Sequence, residues 1–90
     1  MKYILTEYAN AIKREIKLLV KANVNYFIHE DKIYLDLELA HGIYYRYIIP
    51  DALEKMASGV TSKTIATDLQ FNLRKYIERM YFKKVLTLFK

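Results

Sequence analysis

Ninety residues with 53% hydrophobic and 28% charged side chains are enough for one domain with one core, residues 1–90, and too apolar for intrinsic disorder. The absence of cysteine excludes disulfide stapling, thiolate catalysis and cysteine-based zinc sites. No apolar run approaches the ~20 residues that cross a bilayer, so the chain reads as a cytoplasmic protein with no membrane partner.

Residues 4–22 have the period of an amphipathic helix: Leu5, Tyr8, Ile12, Ile16 and Leu19 recur at three- and four-residue spacing, and Lys13, Lys17 and Lys21 form a separate stripe. Thr6, following Ile4, is the expected cap. Asn23-Val24-Asn25 marks the exit, and residues 24–30 have the β-branched and aromatic content of a strand. Residues 33–39, Ile-Tyr-Leu-Asp-Leu-Glu-Leu, alternate apolar and mostly polar positions as a half-buried strand does. Ala40-His41-Gly42 fits a three-residue hairpin loop with Gly42 left-handed, and residues 43–49 return as a third strand.

The loop lengths set the register. Three residues place Leu39 opposite Ile43, Leu37 opposite Tyr45, Asp36 opposite Arg46 and Leu35 opposite Tyr47, which keeps apolar side chains together and joins opposite charges; a two-residue loop puts Arg46 among the leucines. Glu30-Asp31 as a two-residue turn puts Tyr26 and Ile28 on the leucine face as well. Pro50 ends the third strand, residues 51–57 suit a short helix, and Ser58-Gly59 breaks it. From Thr61 or Ser62 a long helix carries Ile65, Leu69, Leu73, Ile77 and Met80 on one stripe and can be continued to Leu88. The fold class is α+β: N-terminal helix, three-stranded antiparallel meander, short helix, long C-terminal helix.

Residues 51–73 resemble, in part, the helix-turn-helix motif of DNA-binding proteins. Gly59, Val60, Thr61 and Ile65 match the turn glycine, the small apolar residue, the hydroxyl cap and the apolar position six after the glycine. The resemblance implies that Ser62, Lys63, Thr64 and Thr67 face bases or phosphates. Lys55 departs from it, standing where the motif takes a small buried side chain, and a strand replaces the motif's supporting helix. The order helix, three strands, helix is also that of double-stranded RNA-binding domains, whose proline-histidine loop and lysine cluster are missing here.

The net charge of +5 is concentrated at one end, since residues 71–90 carry Arg74, Lys75, Arg79, Lys83, Lys84 and Lys90 against Glu78 alone. Lys75, Arg79 and Lys83 share one helix face with Arg74 beside them, a row able to track a phosphate backbone or simply to face water. On the sheet face opposite the leucines the registers collect Phe27, Tyr34, Tyr44, Ile48, Asp36, Glu38 and Arg46. Under a helix that face is the second half of the core; left open, its aromatics ringed by charges form a protein-binding patch, with Asp36 and Glu38 set against nucleic acid there. Nine tyrosines and no tryptophan suit a half-exposed contact surface.

Chemistry finds little footing. His29 and His41 lack a nucleophile at a recognisable spacing, His29-Glu30-Asp31 has no ligand from a third element, and two glycines make no phosphate loop. The expectation is a non-enzymatic binding or regulatory protein without metal or small-molecule cofactor, acting on a protein partner or on itself as a homodimer. Phages and mobile elements use such small basic domains as accessory proteins, some of which inhibit a host protein. The alternative is a DNA-binding protein using the helix from Thr61 and the basic face of the C-terminal helix.

Overall fold

The computed structural model describes residues 2–81 and 88–89. Its elements follow in the expected α+β order: α1 (Lys2–Leu19), β1 (Asn23–His29), β2 (Lys32–Glu38), a 3-10 turn (Ala40–Gly42), β3 (Tyr44–Ile49), α2 (Ala52–Ala57) and α3 (Ser62–Tyr81). The strands form one antiparallel sheet in the order β1-β2-β3.

Both turns have the backbone that their lengths demand. Glu30 and Asp31 take left-handed φ values of 48° and 59°, the conformation in which a two-residue turn follows the twist of its strands. Gly42 closes the second turn at φ 70°. The resulting pairs include Phe27 with Tyr34, Tyr26 with Leu35, Asp36 with Arg46, Leu37 with Tyr45 and Leu35 with Tyr47, as the loop lengths predict.

Asp31 does more than turn the chain. Its carbonyl accepts the Ala52 N–H at 3.0 Å and its carboxylate accepts the Leu53 N–H at 2.9 Å, so the first hairpin supplies the N-terminal acceptors of α2. Asp51, the residue just before α2, makes no side-chain cap bond. At the other end of α2, Gly59 is left-handed at φ 82°. Its N–H reaches the Met56 carbonyl at 3.2 Å while the Val60 N–H reaches Lys55 at 3.0 Å, the paired bonds of a Schellman cap. Thr61 then starts α3, its hydroxyl oxygen accepting the Thr64 N–H at 3.1 Å.

Helices α1 and α3 pack on each other and on one face of the sheet. α1 lies over β1 and β2, tied by the Tyr26 hydroxyl donating to Asn10 at 2.9 Å. α3 meets β3 through the Tyr45 and Tyr76 rings, 5.1 Å apart, and through the Tyr47 hydroxyl, which donates to Asp68. The Tyr8 hydroxyl donates to the Val60 carbonyl and joins α1 to the turn before α3. Between the layers lies a wholly aliphatic core, including Ile12, Ile16, Ile33, Leu35, Leu37, Leu69, Leu73 and Ile77, and no polar or charged residue among those described is buried.

Four helix features differ from the sequence expectation. Thr6 is not a cap, because α1 already runs from Lys2, and Leu5 just before it and Ala9 three residues after it are both buried on the helix. The same helix ends at Leu19, short of residue 22, where Val20 pairs antiparallel with Phe89 and the Lys21 N–H donates to the Leu88 carbonyl at 2.8 Å. Leu88 therefore belongs to a returning segment that closes the core rather than to α3. Met80 is 56% exposed although it continues the stripe of Ile65, Leu69, Leu73 and Ile77: the burial of that face ends at Ile77, and residues 78–80 are all exposed.

Candidate protein-binding face

With both helices on one side, the other face of the sheet is open, and strand alternation decides what it presents. The pairing sorts it into rows running across the strands. One row is Phe27, Tyr34 and Ile48, the next is Asn25, Asp36 and Arg46, and beyond it Glu38 lies beside Tyr44. Phe27 is 44% exposed, Ile48 46% and Tyr44 65%, a concentration of apolar surface that ordinary monomer faces seldom carry.

The centre of the face is ordered. Because the Leu39 N–H donates to the Ile43 carbonyl, the hydrogen-bonded pairs between β2 and β3 fall at Leu39, Leu37, Leu35 and Ile33. Asp36 and Arg46 thus form a non-hydrogen-bonded pair, whose Cα atoms approach to ~4.5 Å. Arg46 donates from Nε to Oδ1 at 2.7 Å and from its terminal nitrogen to Oδ2 at 3.1 Å, a two-pronged pair. These bonds to Asp36 raise the guanidinium pKa further. Phe27 and Tyr34 stack with centroids 4.4 Å apart and planes 6° from parallel. The Arg46 Cζ lies 5.3 Å from one centroid and 5.7 Å from the other, nearly equidistant, so the guanidinium runs alongside the pair and steadies both rings. Lys32 and Arg46 balance Asp36 and Glu38, which leaves the face close to neutral.

The structure thus brings Phe27, Tyr34, Arg46 and Ile48 into one cluster, with Tyr44 one row further along. It does not bring the nucleic-acid candidates together in the same way. Lys63, Thr64 and Thr67 are exposed on the first turns of α3. The two threonine hydroxyls, however, are turned to their own helix and its cap: Thr67 donates to the Lys63 carbonyl at 2.9 Å, and the Thr64 and Thr61 hydroxyls share a bond of 2.9 Å. They line a shallow groove together with Asp68 and Phe71, and the Asp68 carboxylate opposes phosphate there. Further along α3, Arg74 lies 4.8 Å over the Phe89 ring and Lys75 4.4 Å over Phe71, while Arg79 is exposed. Lys83 lies outside the described residues.

Burial raises the pKa of the Tyr8, Tyr45 and Tyr47 hydroxyls, and the Asp68 carboxylate adds to the effect at Tyr45 and Tyr47. Among the described residues no three His, Asp or Glu side chains gather where a metal ion would sit, and no helix is long and apolar enough to cross a membrane. Sequence reasoning passed over Lys32 as a member of the open face, although its alternation with Tyr34, Asp36 and Glu38 on β2 places it there. Searches against protein-family models, curated proteins and solved structures give no match for the chain.

Proposed function

We propose that this chain is a small non-enzymatic binding protein, that its working surface is the open face of the sheet, and that its partner is a protein. The observation that carries this reading is the Phe27–Tyr34 stack steadied by the Arg46–Asp36 pair on an uncovered face. Aromatic rings and arginine are the side chains that dominate protein interfaces, and these are held in place before any partner arrives, which lowers the ordering cost of binding. The neutral balance of the face supports a protein over a phosphate backbone, since Asp36 already occupies Arg46 and Glu38 repels polyanions.

A photoreactive phenylalanine in place of Tyr44, which is 65% exposed and borders the cluster, tests this in the source cells. The expected result is a discrete protein adduct that disappears when Phe27→Ala is added. Adducts to nucleic acid, or a protein adduct indifferent to Phe27→Ala, would overturn the reading.

One observation supports a second reading, DNA binding by α3: Lys63, Thr64 and Thr67 are exposed on its capped first turns. Labelled random duplexes in a salt series decide it. Salt-sensitive binding that Lys75→Glu with Arg79→Glu abolishes would favour this second reading, and no binding at low salt would remove it.

A further inference from the structure

The open face carries its charges in an order that says which protein fits it. On β2 the exposed-side positions run Lys32, Tyr34, Asp36, Glu38, one cation at one end, two anions toward the other and the aromatic row between. Lys32 is exposed and holds no ion pair among the described residues. Asp36 accepts two bonds from Arg46 and, as a carboxylate, has acceptor sites left for another donor.

We propose that the face is occupied by a second copy of this chain, packed face to face about a two-fold axis that runs across the strands through Phe27, Tyr34 and Ile48. This rests on the reading of the face as a protein-binding surface and supplies the partner. Two arrangements keep the apolar row on itself, and charge chooses between them. With the axis along the strands, each row meets its own copy: Lys32 lies over the partner's Lys32, Asp36 over the partner's Asp36 and Glu38 over the partner's Glu38, three like-charge encounters. With the axis across the strands, the strand direction reverses. Tyr34 still meets the partner's Tyr34, but Lys32 now lies over the partner's Asp36, and Asp36 over the partner's Lys32.

The distances suit this second arrangement. Same-face neighbours on β2 are ~6.7 Å apart and packed sheets ~10 Å apart, a gap that a lysine and an aspartate reaching from opposite sides close. Lys32 gains a partner without taking Arg46 from Asp36. The size of the contact sets its strength: three strands of about seven residues cover roughly 23 by 14 Å. Counting side-chain relief, both copies together bury on the order of 1,000 Å², the lower end for specific interfaces, so the dimer is weak and concentration-dependent.

Sedimentation velocity on the full chain, from micromolar to millimolar, is expected to show the mass rising from 10.8 kDa toward twice that value, less so in high salt. Lys32→Glu, which sets Glu against the partner's Asp36, should weaken the dimer tenfold or more while leaving the melting temperature of dilute protein unchanged. Since the chain has no cysteine, single thiols report the axis. Ile48→Cys lies on it and should be joined to itself by a short bis-maleimide, whereas Glu38→Cys should not. Cross-linking of Glu38→Cys but not Ile48→Cys would place the axis along the strands and overturn the proposal, as would a dimer indifferent to Lys32→Glu or a chain monomeric at millimolar concentration. The Tyr44 photo-adduct separates the two levels of the argument. A monomeric chain that still captures another protein through Phe27 loses the second copy and keeps the binding face; a monomer that captures nothing loses both.

Discussion

Tyr34 and Leu35 are adjacent on β2 and point to opposite faces, and truncating each to alanine measures how different those faces are. Leu35 is 0% exposed between strands and helices. Its truncation removes buried methyl groups and leaves a cavity, which costs about 3 kcal/mol. Tyr34 stacks on Phe27 at 4.4 Å but is only half-buried, with one side of the sheet in water. Losing the ring pair and some strand preference there costs about 1 kcal/mol. In a domain of this size 1 kcal/mol moves the melting temperature by roughly 4–8 °C, so Leu35→Ala should melt roughly 12–24 °C below the parent and Tyr34→Ala only about 6 °C below it. Urea unfolding followed by far-ultraviolet circular dichroism, at concentrations below any self-association, gives both values and shows whether the slope stays the same. Equal losses for the two variants would mean that Tyr34 is packed as a core residue is, and would refute the open face on which the functional reading stands.

The first hairpin turn should respond oppositely to glycine at its two positions. Glu30→Gly relieves a left-handed residue whose exposed side chain adds little and should stabilise by about 0.5 kcal/mol, whereas Asp31→Gly, despite the same relief, removes the acceptor of the Leu53 N–H and should destabilise by about 1 kcal/mol in urea melts. Gly59→Ala meets no atom within 4 Å, so its expected loss of about 1 kcal/mol is backbone strain alone at φ 82°. The raised pKa values of Tyr8, Tyr45 and Tyr47 mean that the folded chain holds these protons more tightly than the unfolded one. Their contribution is therefore intact below about pH 10 and is lost as pH rises through the higher folded values. Urea melts between about pH 9 and pH 11 should show the decline, and Tyr47→Phe should flatten it. Charge reversal at Lys75 and Arg79 should leave self-association unchanged by sedimentation, since both lie on α3 in the other layer.

The meander was legible because alternation and loop length together admit one register: the pairing of Asp36 with Arg46 and the shared face of Phe27, Tyr34 and Ile48 follow from counting alone. Thr61 as the start of α3 and Gly59 as the break before it were legible for the same local reason, a hydroxyl cap and a left-handed glycine. What escaped was set at long range. Thr6 has the letters of a cap, and only the packing of Leu5 and Ala9 against the rest of the core shows that the helix began earlier. Asp31 acts on α2 from more than twenty residues away, and Tyr47 finds Asp68 across the layers; neither separation has a periodicity to reveal it. Whether α3 would lie beside α1 or on the opposite face of the sheet is likewise a matter of tertiary packing, since an amphipathic stripe names a buried side without naming what buries it.

Along β2 the two kinds of information are interleaved residue by residue. Ile33, Leu35 and Leu37 hold the molecule together, and they do so among buried side chains that, within the described residues, include no aromatic ring and no polar group. Lys32, Tyr34, Asp36 and Glu38 take almost no part in that. The odd positions can therefore stay constant while the even ones drift, and a lineage of such chains would be free to change what it recognises by single substitutions without renegotiating how it folds. For an engineer the same separation makes the sheet a small board of replaceable side chains on a scaffold that does not depend on them.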